Sequence, residues 1–87
     1  MTLSFPNQSR FYDTTRHAVR FWGHDSAMEA SFFINADALK RIKPDMPLDE
    51  AGLLGAFDSN RKLIYATAVE VYERRRKGSY DLVAVDF

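Results

Sequence analysis

The apolar residues of this chain change period at Asn35. Before it they alternate: Val19 and Phe21 recur two apart, as do Met28, Ala30, Phe32 and Ile34. After it, Ala38, Leu39 and Ile42 cluster at one-to-three spacing, and Phe57, Ile64, Ala68, Val71 and Tyr72 recur at separations of three, four or seven. A spacing of two lines one face of a strand, and a spacing of three or four lines one face of a helix. A strand-rich first part followed by a helical second part predicts an α+β fold.

Local signals divide these regions further. Pro6 and Asn7 interrupt any strand pattern near the start, so residues 1–8 read as an N-terminal tail and residues 9–87 as one domain. A short aromatic strand from Ser9 ends at Asp13-Thr14-Thr15, whose side chains can bond nearby backbone groups in a turn. Arg16 to His24 predicts a second strand, with His17, Val19 and Phe21 facing inward and Ala18, Arg20, Trp22 and His24 outward. Gly23-His24-Asp25-Ser26 signals a turn, and Ala27 to Ile34 predicts a third strand. Strands this close in sequence form an antiparallel meander.

Asn35 is a helix N-cap by type, and Asp37 complements the positive end of the helix that follows. Pro44 stops that helix, because the residue before proline avoids helical geometry. Asp49 is a second N-cap, and the helical pattern then runs to about Lys77. We read it as one long, bent helix of roughly 40 Å, with Gly52, Gly55 and Asp58-Ser59-Asn60 marking the bend or a break. Gly78 suits the C′ position. Ser79 to Phe87 predicts a last strand joining the sheet, its run Leu82-Val83-Ala84-Val85 buried on both sides. The expected order is β-β-β-α-α-β: a three-stranded meander, two helices of which the second is long, and a C-terminal strand.

At 87 residues the chain has one core to build and no cysteine to staple it. It therefore has no disulfide and no thiolate metal site, which fits a reducing compartment. Twelve of its residues are aromatic, seven of them Phe, and large rings supply much buried area to a small core. Twelve basic residues balance twelve acidic ones, so no global charge draws the chain to nucleic acid or anionic lipid. The first residues lack a basic and apolar leader, and no apolar run approaches the roughly 20 residues of a membrane span. The expectation is a cytoplasmic protein without membrane association.

The chain resembles a family of small bacterial proteins known as domain of unknown function 1488. The resemblance rests on Val19-Arg20-Phe21 in an early strand and Ala38-Leu39 in the first helix. It also rests on Phe57, Arg61, Ile64, Ala68 and Tyr72 in the long helix, and on the ending Asp86-Phe87. It covers about Ser9 to Phe87 and implies a small α+β fold with a sheet and packed helices. It implies no activity and transfers no catalytic residue.

The residues themselves offer few chemical constellations. His17 and His24 are seven apart on one expected strand, which puts them on opposite faces and argues against a shared metal ion. The four glycines, at 23, 52, 55 and 78, form no phosphate-binding loop. There is no nucleophile elbow around a serine. No cofactor, metal or catalytic residue is expected. Arg61 falls on the apolar stripe of the long helix, where its stem can pack on the core and its head reach water or a carboxylate, or else contact an anion or partner. Arg74, Arg75, Arg76 and Lys77 suit a helix C-terminus. With Arg16, Arg20 and Trp22 they could also form a basic-aromatic surface for nucleic acid. Trp22, on the less apolar strand face, is a candidate anchor for a protein partner. By elimination the leading expectation is a non-catalytic protein-interaction module, binding another protein or itself. Weak nucleic-acid binding is the second reading, and a small enzyme or ligand carrier the third.

Overall fold

The computed structural model describes residues 3–74 and 79–87. Five strands form one mixed sheet: β1 (Leu3–Ser4), β2 (Arg10–Asp13), β3 (Ala18–Asp25), β4 (Met28–Asn35) and β5 (Ser79–Leu82). Three helices, α1 (Ala36–Ile42), α2 (Glu50–Ser59) and α3 (Arg61–Arg74), lie between β4 and β5, and a 3-10 turn over Ala84–Asp86 follows β5. The sheet order is β1-β3-β4-β5, with β2 pairing the same strand as β1. β1 to β4 pair antiparallel, whereas β5 pairs parallel to β4, as a helical crossover from β4 requires. The expected α+β order is borne out, with one more strand and one more helix than anticipated.

The segment expected as a tail pairs with β3 through Leu3 and Ser4, and β2 continues along the same edge from Arg10. The chain leaves the ladder between them, around Pro6 and Asn7, where proline supplies no N–H to a ladder. Leu3 is buried, and the Phe5 ring stacks on Tyr65 at 4.1 Å between centroids. Gly23 makes room for this segment: a Cβ there would lie 2.9 Å from Leu3 Cδ1 and 3.0 Å from the Phe5 ring.

Alternation in β3 and β4 selects the core face. Val19 and Phe21 pair with Ile34 and Phe32, which in turn pair with Leu82 and Tyr80 of β5. All six are buried, and Leu39, Leu53, Phe57, Ile64 and Ala68 of the helices pack over them. A continuous run of rings joins Phe57, Phe21, Phe32, Tyr80 and Tyr72, with centroids 5.0–5.5 Å apart. The Tyr72 hydroxyl donates to Asp25 Oδ2 at 2.7 Å and ties α3 to the end of β3.

Both expected caps are present. Asn35 Oδ1 accepts from Ala38 N at 2.8 Å, and Asp49 Oδ1 accepts from Gly52 N at 2.7 Å. The expected single long helix is instead two. Asn60 adopts a non-helical conformation (φ −127°, ψ 26°) and closes α2, its Nδ2 donating to Ala56 O at 2.9 Å. Its own carbonyl accepts from Ile64 N at 3.0 Å and so opens α3. The Asn side chain takes over a carbonyl that the helix would otherwise use, the usual reason Asn weakens helix interiors.

Three further differences are local. His17 does not face inward on a strand: it is exposed in the β2–β3 turn at φ 52°. Met28 sits at the hairpin end of β4 and is exposed. The last strand stops at Leu82, and Val85 is 87% exposed rather than buried on both sides. β4 ends at Asn35 and turns into α1, so the chain beyond Leu82 has no ladder partner; it curls back instead, and Arg41 Nε donates to Phe87 O at 2.7 Å. Arg75, Arg76, Lys77 and Gly78 lie outside the described residues.

Candidate functional site: the uncovered face of the sheet

Residues that alternate with the core positions point to the other side of the sheet, where no described helix lies. Register places Phe11, Arg20, Phe33 and Asp81 in one row across β2, β3, β4 and β5. Trp22, Ser31 and Ser79 form the next row, and His24 and Glu29 the one after. Arg16 reaches over this face from the β2–β3 turn.

These side chains interleave cations and rings. The Arg16 guanidinium carbon lies 4.1 Å from the Phe33 ring centroid. That of Arg20 lies 5.5 Å from Phe33 on one side and 5.1 Å from Trp22 on the other. Guanidinium groups stack favourably on aromatic faces. This stacking explains why Phe33 is only 8% exposed on a face that no described helix covers. Arg16 Nη1 also pairs with Asp81 Oδ1 at 3.3 Å, and Arg20 Nη2 donates to Ser31 Oγ at 3.1 Å. Arg20 Nε is buried without a hydrogen-bond acceptor, and Arg20 has no carboxylate partner among the described residues.

Phe11, at the β2 end of the row, is 60% exposed. At the β4–β5 end a hollow of about 330 Å³ opens between Arg16, Ala18, Phe33, Asn35, Asp81 and Val83. The charges on the face are mixed: Arg16 and Arg20 stand beside Asp13, Glu29 and Asp81, and Glu29 lies 3.8 Å from His24.

Of the residues singled out from sequence, Arg16, Arg20 and Trp22 therefore come together. Arg61 does not join them, and Arg74 stands outside the stacked layer, lining a neighbouring hollow with Asp81 and Val83. Arg61 follows its plainer reading: its guanidinium packs 4.9 Å from the Phe57 ring centroid and bonds Asp58 Oδ1 at 2.8 Å and the Tyr65 hydroxyl at 2.6 Å. Asp58 also takes a forked pair from Arg10, at 3.0 and 2.8 Å, which fastens β2 to the end of α2. The hydrogen bond from Arg10, helped by Arg61, holds the Asp58 carboxyl below its ordinary range against some desolvation, and the same contact raises Arg10. Arg74 is exposed on α3, its Nε donating to Glu70 O at 3.4 Å. Arg75 and Arg76 lie outside the described residues.

Phe11, Ser31, Phe33 and Asp81 escaped sequence reasoning as site residues. Alternation alone groups Phe33 with Ser31 and Glu29, and a hairpin turn at Ser26–Ala27 would pair Phe33 with Arg20. No local signal announces Asp81, whose place depends on the parallel β4–β5 register. Among the described residues no three His, Asp or Glu side chains group as a metal site would need, and no helix is long and apolar enough to cross a membrane.

A sheet with helices on one side and an arginine-aromatic layer on the other defines a two-layer α+β domain with one open sheet face. The chain belongs to the family described as protein of unknown function (DUF1488), whose model matches residues 3–83. A crystal structure of a DUF1488-family protein of unknown function from Shewanella loihica superposes with a TM-score of 0.81. It is 18% identical, and the match covers 94% of each chain. At that identity the likeness concerns the fold. No curated protein matches the chain.

Proposed function

We propose that this protein is a protein-interaction module that works in the cytoplasm and binds through the open face of its sheet. The observation that carries this reading is the layer Arg16–Phe33–Arg20–Trp22, held in place by stacking on a face that no described helix covers. Tyr, Trp and Arg dominate the energetics of protein interfaces because they bury large area while keeping a polar handle. Rings and guanidinium groups that are already ordered lose little further freedom on binding. The cytoplasmic placement rests on the cysteine-free composition, which suits a reducing compartment.

The same face gives less support to nucleic-acid binding. Its two arginines stand among Asp13, Glu29 and Asp81, and carboxylates at those positions repel a phosphate backbone. The test compares binding by the wild-type protein with binding by a variant carrying Arg20→Gln and Trp22→Ala, using affinity capture from the native cytoplasm with and without nuclease. The module reading expects nuclease-resistant protein partners that the variant loses. Partners released by nuclease, or retained in full by the variant, would overturn it.

A further inference from the structure

Resting on the interaction-module reading, we infer that the occupant of the open face is a second copy of this chain, docked face to face so that each Phe11 enters the hollow of the other. A two-fold interface must be self-complementary: what one copy offers at one position, the other must receive at the mate position. The row Phe11–Arg20–Phe33–Asp81 meets that condition. It carries a knob at one end, the exposed Phe11 ring, and a hollow at the other, beside Phe33 and Asp81. The hollow spans β3 to β5 and centres over β4, two strand spacings from Phe11, roughly 10 Å at ~4.8 Å per spacing. A two-fold axis running along β3 exchanges knob and hollow, so both rings are seated at once.

The chemistry of the hollow suits a ring. Its floor is Phe33 and Ala18, and its wall is the Arg16 guanidinium, which can stack an incoming aromatic face as it already stacks Phe33. Charge also fits a copy of itself better than a strongly charged partner. The face carries both signs, Arg20 has no carboxylate partner among the described residues and its Nε is buried without an acceptor, and the chain has no net charge to repel its twin. The flat footprint is small. Four strand positions of about six or seven residues give on the order of 400 Å² per copy, which places the pair among weak, reversible associations.

Sedimentation equilibrium of the full chain from ~10 μM to ~1 mM, the range of weak association, tests this directly. Trp22 is the chain's one tryptophan and lies on the proposed interface, so its fluorescence reads the same equilibrium. The expected result is a monomer–dimer transition with a parallel change in Trp22 emission. Phe11→Ala should weaken it about tenfold or more, as should Arg16→Ala, while both variants keep the wild-type circular dichroism. A chain that stays monomeric throughout overturns the inference, as does a dimer indifferent to Phe11→Ala. A photo-crosslinking residue at position 11, used in cells, separates this failure from that of the module reading. Crosslinks to a second copy support the inference. Crosslinks only to a different protein overturn self-docking and leave the module standing, and no crosslink removes both.

Discussion

The two faces of the sheet are built from the same strands and solve burial differently. On the covered face Val19, Phe21, Phe32, Ile34, Tyr80 and Leu82 disappear under three helices, into a cluster that includes Leu39, Leu53, Phe57, Ile64 and Ala68. On the open face a large buried ring, Phe33, is covered by guanidinium groups. The first arrangement excludes water and drives folding through buried apolar area. The second leaves charged edges in reach of solvent, so it contributes little to the core and remains available to a partner. Arginine suits that place because its planar head stacks on rings while its edge donors stay usable.

If this contrast is right, substitutions should rank by face. Phe57→Ala, which opens the ring cluster over Phe21, is expected to cost about 3–5 kcal/mol in urea denaturation. A loss under ~1 kcal/mol would mean that the covered face is loosely packed. Within the covering layer, α2 offers a paired test. A Cβ at Gly52 would collide with the Pro47 carbonyl, whereas a Cβ at Gly55 meets nothing within 4 Å. Gly52→Ala should therefore destabilise by roughly 1–3 kcal/mol despite alanine's better helix propensity, and Gly55→Ala should stabilise by up to about 1 kcal/mol.

The rim between the faces should respond more weakly and with pH. Asp58 bonds Arg10 and Arg61 but is well exposed, so Asp58→Asn should cost only about 0.5–1 kcal/mol at neutral pH after solvent screening. Its folded pKa lies below the unfolded value. The stabilisation is thus complete above the ordinary carboxylate range, near pH 4, and is lost as pH falls through the folded value. Wild type and variant should converge in acid, and a difference that persists there would assign the effect to something other than the ionised carboxylate. The smallest effect belongs to the open face: Phe11→Ala should change monomer stability by no more than about 0.5 kcal/mol. A large loss would make Phe11 part of the core and remove the basis for treating this face as a docking surface.

Much of the covered layer was legible in advance. Val19, Phe21, Phe32 and Ile34 announced the core face of the strands through their alternation, and Phe57, Ile64, Ala68 and Tyr72 announced that of the helices. Asn35 and Asp49 announced their caps. The break at Asn60 was marked by weak helix formers, but the bond from its side chain to Ala56 decided it. Arg61 carried an ambiguous signal, and nothing local in the sequence showed that its head would lie against Phe57 and bond Asp58 and Tyr65.

Sequence by itself determined the change from strands to helices at Asn35 and the inward side of β3, β4 and the helices, because those depend on periods and caps within a few residues, whereas β1, the split at Asn60 and the end of β5 did not follow from it. Only the tertiary structure decided that Phe11, Arg16, Arg20, Phe33 and Asp81 share one surface. Their proximity depends on strand pairing between residues as distant in sequence as Phe33 and Asp81, and on a side-chain bond from Arg16 to Asp81, 65 positions away. It also depends on a parallel register set by the path of the intervening helices, and no local spacing encodes either.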